Sequence, residues 1–150
     1  MAGSSIAKDI AAPPERVWQV ITDLDGSPDV MSAITAVERI DGGPGFDVGT
    51  RWRETRTMFG REATEEMEVT AIDPGRSYTV EAESTGARYV STFLVEAHES
   101  GSRLTMSFSG TPKGIVGRML AATVGRLLAG TTTKAIQQDL EDIAAAAEAG

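Results

Sequence analysis

The chain has 150 residues, 41% of them hydrophobic and 24% charged, the profile of one compact domain over 1–150 that is long enough for a core and an internal pocket. Fourteen Lys and Arg against 22 Asp and Glu give a net charge of −8, a sign that repels phosphate backbones and anionic bilayers, so neither nucleic acid nor stable membrane insertion is expected. No cysteine is present, which excludes disulfides, thiol nucleophiles and thiolate zinc sites, and the single histidine, His98, leaves little for metal chemistry.

The N-terminus, Met1 to Ser5, has neither the basic region nor the apolar run of a secretory signal, and the most apolar stretch, Ile115 to Ala129, is short and carries Arg118 and Arg126. Cytoplasmic residence is the expectation. A first strand is expected over Ser4 to Ala12, ended by Pro13-Pro14. Helical spacing of Val17, Trp18, Val20, Ile21 and Leu24 predicts a helix over Pro13 to Asp23. After the break Asp25-Gly26-Ser27-Pro28, a second short helix over Pro28 to Ile34 would put Val30, Met31 and Ile34 on one face.

From Thr35 the period becomes two. Strands are expected over Thr35 to Ile40, Thr50 to Phe59, Glu62 to Ile72, Ser77 to Ser84, Arg88 to Ala97 and Arg103 to Ser109, joined by short turns that favour an antiparallel meander. Thr111-Pro112 reads as a helix start, and Gly114 to Ala147 is helical in composition. A straight helix of that length spans about 50 Å, more than the roughly 40 Å diameter of a globule this size, so a break is expected near Gly125 to Gly130. The simplest burial solution is a curved antiparallel sheet covered on its apolar face by this helix, an α+β architecture.

Several segments in this order resemble the START-like (SRPBCC) superfamily, the polyketide cyclase/dehydrase and lipid-transport group. They are Ile10-Ala11-Ala12-Pro13-Pro14-Glu15-Arg16-Val17-Trp18, Asp23, Val48-Gly49-Thr50-Arg51-Trp52-Arg53-Glu54, Val69 to Arg76, Gly101 to Thr105, and Asp139-Leu140-Glu141. The resemblance implies a helix-grip fold: about seven strands wrapped around a long C-terminal helix, two short helices after the first strand, and a ligand cavity between helix and sheet. Small residues on the helix (Gly117, Ala121, Ala122, Gly125, Ala129, Gly130) are consistent with unfilled volume, although close packing of helix on sheet has the same signature.

The segment Trp52 to Met58 is the most informative for chemistry. Alternation puts Trp52, Glu54, Arg56 and Met58 on one face, and the bulky apolar pair should turn that face inward. Glu54 and Arg56 then either form an ion pair at the rim of the sheet or act on a ligand, with Glu54 as general acid-base group and Arg56 beside it as the catalytic candidates. On the next strand Glu65, Met67, Val69 and Ala71 share a face, and Glu66, Glu68 and Thr70 point to solvent. Tyr78, Val80 and Ala82, then Tyr89, Ser91, Phe93 and Val95, then Leu104, Met106 and Phe108 alternate inward. Candidate ligand contacts are thus Trp52, Met67, Tyr78, Val80, Tyr89, Phe93, Met106 and Phe108, with Leu128 and Thr132 from the helix; each serves equally as core.

His98, next to a turn, reads as a surface residue. Gly42-Gly43-Pro44-Gly45 lacks the ending of a phosphate loop and suits the cavity mouth. No metal and no cofactor is expected. The leading expectation is a binding protein for a small hydrophobic or aromatic molecule, lipid, polyketide or isoprenoid in type. Alternatives are a polyketide cyclase or dehydratase working by cofactor-independent acid-base catalysis, and an interaction module whose apolar groove takes a protein segment; the alanine-rich end, Ala144 to Ala147, also suits packing on a second copy as a homodimer.

Overall fold

The computed structural model describes residues 2–41, 43, 45–58, 60–84, 87–112 and 133–149. Seven strands, β1 (Ala2–Ile10), β2 (Ile34–Asp41), β3 (Arg51–Met58), β4 (Arg61–Asp73), β5 (Ser77–Ser84), β6 (Ala87–His98) and β7 (Gly101–Pro112), form one antiparallel sheet in the order β1-β7-β6-β5-β4-β3-β2. The two edge strands are the first two in sequence, so the chain must cross from one edge to the other between them. Helices α1 (Pro14–Thr22) and α2 (Ser27–Val30) make that crossing. Proline at the start of each costs nothing in hydrogen bonds, because the first turn has no intrahelical acceptor for its N–H groups. The second helix ends at Val30, short of the expected limit at Ile34: Met31 is already extended, and Ile34 opens β2.

A helix over residues 133–149, α3, lies on the inner face of the sheet. Its Ile136, Leu140 and Ile143 are buried with Val17 and Ile21 of α1 and with Val69, Val95 and Leu104 of the sheet. Fully burying such side chains stabilises the fold by about 1.5–3 kcal/mol each. Polar ties fix where the helix sits. Arg16 Nη2 donates to the carbonyl of Ala146 at 3.1 Å, and the Ser32 N–H and hydroxyl both donate to Asp142 Oδ2 at 3.0 Å.

The six-strand meander from β2 to β7 matches expectation, with two corrections. Thr111 and Pro112 do not begin a helix but end β7, where they pair with Arg88 and Ala87; proline is tolerated at the end of a strand, where a missing donor breaks no continuing ladder. On β4 the register shifts between Val69 and Ala71. This bulge adds a residue to one strand, so the alternation reverses: Ala71 is exposed, opposite Thr79, and Ile72 takes the inward place opposite Tyr78. The expected break near Gly125 to Gly130 and the small residues from Gly117 to Gly130 lie outside the described residues.

Gly101 opens β7 at φ +131°, and a Cβ there would stand 2.6 Å from the Ala12 carbonyl oxygen and 2.8 Å from its nitrogen. Glycine is therefore required both by conformation and by the close passage of the β1–α1 connection. Ser102 beside it is fully buried and donates its hydroxyl to the same Ala12 carbonyl at 2.6 Å.

Candidate functional site

β3 runs second from the sheet edge between β2 and β4, and its Trp52, Glu54 and Arg56 face α3. Trp52 is 4% and Glu54 8% exposed. Trp52 Nε1 donates to Glu54 Oε1 at 3.3 Å, and Arg56 Nε donates to Glu54 Oε2 at 2.7 Å. Arg56 Nη2 reaches across to Asp139 Oδ2 on α3 at 2.9 Å. One guanidinium thus bridges a carboxylate of the sheet and one of the helix, inside the layer that otherwise holds aliphatic and aromatic side chains. Glu65 stands on β4 directly opposite Glu54 and is half-buried, adding a third carboxyl to the same face.

The electrostatics follow from crowding acids around one cation. Burial works against the charge of Arg56, and the carboxylates of Asp139 and Glu54 outweigh it, holding the guanidinium above its ordinary range. Burial pushes the carboxyl of Asp139 up, with Arg56 opposing and Glu54 adding to the rise. Glu65 is raised by burial first and by Glu54 second. Asp139 Oδ1 is buried and has no hydrogen-bond partner among the described residues. An acceptor left unsatisfied in the interior costs about 1–3 kcal/mol, so packing alone does not account for it. Among the described residues no group of three or more His, Asp or Glu side chains is arranged to hold a metal ion.

Next to this cluster the inner face is aromatic. Tyr78 is stacked on Phe93 with ring centroids 4.9 Å apart and meets Phe46 edge-on at 4.7 Å and Trp18 at 6.0 Å. Its hydroxyl donates to the carbonyl of Ile21 at 3.1 Å, which ties α1 to the sheet. Burial, with Glu54 adding to it, pushes that phenol up, which keeps it a neutral donor. Tyr89 stacks on Phe108 at 5.6 Å and lies over Gly110, its partner across the ladder, where a side chain would crowd the ring. Val80 and Met106 are buried, whereas Met67, Tyr89, Phe93 and Phe108 are half-buried on the same face. Leu128 and Thr132 lie outside the described residues.

The structure therefore brings Trp52, Glu54 and Arg56 together as alternation implied, and it joins Glu54 and Arg56 as an ion pair with the carboxylate buried and the guanidinium half-buried. Sequence reasoning missed two members. Asp139 falls within the helical stripe of Ile136, Leu140 and Ile143, and a carboxylate inside an apolar stripe was the available signal. Phe46, in the loop before β3, inserts against Trp52 at 6.2 Å as well as against Tyr78. Arg39 holds that loop down by donating from Nη1 to the carbonyls of Gly43 and Gly45 at 2.8 and 2.7 Å, while its Nε pairs with Asp25. Phe46, just after the segment expected at a cavity mouth, thus lays an aromatic ring against the inner face.

Two surface depressions of about 350 Å³ each lie away from this cluster. One is at the Arg39 loop between Asp25 and Asp41, and the other is on the outer face around Glu66, Glu68, Glu81 and Arg88. His98 bonds to Ser100 and Arg103 on the surface, remote from the site. No helix among the described residues is long and apolar enough to cross a membrane.

A seven-stranded antiparallel sheet with a C-terminal helix on its inner face and two short helices after the first strand is the helix-grip fold. Residues 1–148 match the family model for polyketide cyclase / dehydrase and lipid transport proteins, and the chain belongs to that family. No curated protein matches the sequence. Among solved structures, TTHA0849 from Thermus thermophilus is 17% identical, with 99% of this chain and 98% of that one covered at a TM-score of 0.82. Ara h 8.0201 is 18% identical over 99% of both chains, at a TM-score of 0.78. The di-domain ARO/CYC StfQ from the steffimycin biosynthetic pathway is 12% identical at a TM-score of 0.80, with 97% of this chain and 50% of that one covered. At these identities the likeness speaks for the fold.

Proposed function

We propose that the protein binds a small hydrophobic or aromatic molecule between α3 and the inner face of the sheet, with the apolar body against Tyr89, Phe93, Met106 and Phe108 and the polar end at the Glu54–Arg56–Asp139 cluster. The observation that carries this reading is the cluster itself. Replacing a buried ion pair by apolar residues is commonly neutral or stabilising, so a cation and two carboxylates set into an apolar layer are better explained by a ligand than by the fold. Ligand sites combine an apolar lining with a few convergent polar groups in this manner. The family, whose description names lipid transport, supports the same class of ligand.

A second reading rests on the chemistry of the same groups. Two carboxyls held above their ordinary range, Asp139 and Glu65, flank Glu54 and Arg56, which suits proton transfer to and from a bound carbonyl compound. The family description and the ARO/CYC character of StfQ are consistent with it. Cyclisation or dehydration would use Glu54 as the acid-base group and Arg56 to hold the developing oxyanion, with no cofactor required.

Native mass spectrometry of the purified protein, followed by thermal stabilisation with a panel of fatty acids, isoprenoids and polycyclic aromatics, tests binding. The expected result is a retained small molecule or a concentration-dependent rise in melting temperature for at least one class. No retained mass and no stabilisation by any member would overturn the proposal. For catalysis, Glu54→Gln should abolish turnover of a bound polyketide while leaving its binding in place, and unchanged turnover would remove Glu54 from the mechanism.

A further inference from the structure

The polar end of the proposed site has a sign. Arg56 contributes one positive charge, and it already faces Glu54 Oε2 at 2.7 Å and Asp139 Oδ2 at 2.9 Å. Glu65 stands across the ladder from Glu54 on the same face. The Trp52 N–H is turned to Glu54 as well. The described polar side chains here are thus three carboxyls served by one guanidinium and one indole, and acceptor capacity exceeds donor capacity. The excess has a definite location. Asp139 is 3% exposed, its Oδ2 is held by Arg56, and its Oδ1 is buried with no partner among the described residues.

A ligand group placed here meets a buried, unsatisfied acceptor in surroundings that carry more negative than positive charge. A carboxylate would add a fourth acid next to a cation already shared by two. A neutral hydroxyl would satisfy Oδ1 and leave the charge unchanged. An ammonium would satisfy Oδ1 and also offset the excess charge, in a region where low dielectric makes charge pairing strong. Resting on the binding reading above, we propose that the ligand is anchored by a protonated amine on an apolar or aromatic body, held by Asp139 Oδ1 on the face that also carries Glu54 and Glu65, and that the site discriminates against carboxylic acids. The Arg56 guanidinium serves to hold Asp139 and Glu54 in place, not to bind an anionic ligand.

Three probes of one skeleton test this: naphthalenemethylamine, naphthalenemethanol and naphthoic acid, which are cationic, neutral and anionic at neutral pH. Their affinities for the full-length protein, measured by calorimetry at low salt, should fall in that order, with the amine at least about tenfold tighter than the acid. Asp139→Asn and Glu65→Gln should each narrow that ratio by weakening the amine while leaving the alcohol nearly unchanged. Arg56 pairs with Glu54 and Asp139 and, among the described residues, not with Glu65, so the Glu65 variant reports even if Asp139→Asn does not fold. An acid that binds as tightly as the amine overturns the anchor and leaves hydrophobic binding standing. A preference for the amine that persists in both variants overturns its assignment to this cluster. Failure of all three probes to bind overturns the anchor, and the binding reading then stands or falls separately with the wider panel of fatty acids, isoprenoids and polycyclic aromatics.

Discussion

Substituting Arg56 by methionine separates the two roles the buried cluster can have. The change keeps most of the length of the side chain and removes its charge, so Glu54, 8% exposed, and Asp139, 3% exposed, are left facing one another without their shared cation. Removing one partner of a buried ion pair costs about 3–5 kcal/mol. For a chain of this size each kcal/mol moves the melting temperature by roughly 2–4 °C, so Arg56→Met should melt about 6–20 °C lower. The informative comparison is the triple variant Glu54→Gln, Arg56→Met, Asp139→Leu. It removes all three charges and keeps a side-chain oxygen for the Trp52 N–H. If the cluster exists for a ligand, the triple variant regains wild-type stability or exceeds it by up to about 4 kcal/mol, while losing affinity for whatever the wild type binds. Urea unfolding followed by circular dichroism, with slopes of about 1–3 kcal/mol/M, resolves such differences easily. A triple variant as unstable as Arg56→Met would show instead that the cluster holds α3 to the sheet.

Tyr78→Phe removes the donor to the Ile21 carbonyl and should lower stability by about 1–3 kcal/mol without altering ligand preference, measured by denaturant unfolding and by titration; a changed ligand preference would place that hydroxyl in the site after all. Gly101→Ala would push a methyl into the Ala12 backbone at 2.6–2.8 Å, where neither side can yield, and should prevent native folding, whereas Gly60→Ala, at φ +74° with open space around it, should cost only about 1–2 kcal/mol; circular dichroism and urea unfolding of the two variants check the contrast. The carboxyl of Asp139 is held above its ordinary 3.8 in the folded protein, so the folded state binds this proton more tightly than the unfolded one. Its contribution is fully present below pH 3.8 and is lost as pH rises through the folded value. The stability of wild type relative to Asp139→Asn should therefore fall as pH is raised from about 4 towards 7, and a difference that grows with pH would contradict the burial assigned to this group.

The part of the site carried by β3 was legible because alternation is a local property: once Trp52 is placed inward, Glu54 and Arg56 must follow it. The bulge at Val69 to Ala71 was not legible, because a register shift is set by how β4 pairs with β5 and leaves no mark on the alternation of β4 itself. It moved Ala71 outward and Ile72 inward. Phe46 was missed for a related reason: it lies in an aperiodic loop, and only its contacts with Trp52 and Tyr78 in the folded chain show which way its ring is directed. Thr111-Pro112 carries a good helix-start signal that the pairing with β6 overrides, since the ladder continues to Pro112. Asp139 sat in plain view within an apolar stripe, but its partner Arg56 is far away in the chain and becomes apparent only when α3 is laid on β3.

A ligand that enters between α3 and the sheet should be anchored by its polar end at Asp139. A crystal structure of the protein soaked with naphthalenemethylamine tests it most directly. Density is expected for the ring system against Phe93 and Phe108, with the nitrogen within hydrogen-bond distance of Asp139 Oδ1. Density confined to the outer-face depression around Glu68 and Glu81, with the inner face closed and unchanged, would contradict it.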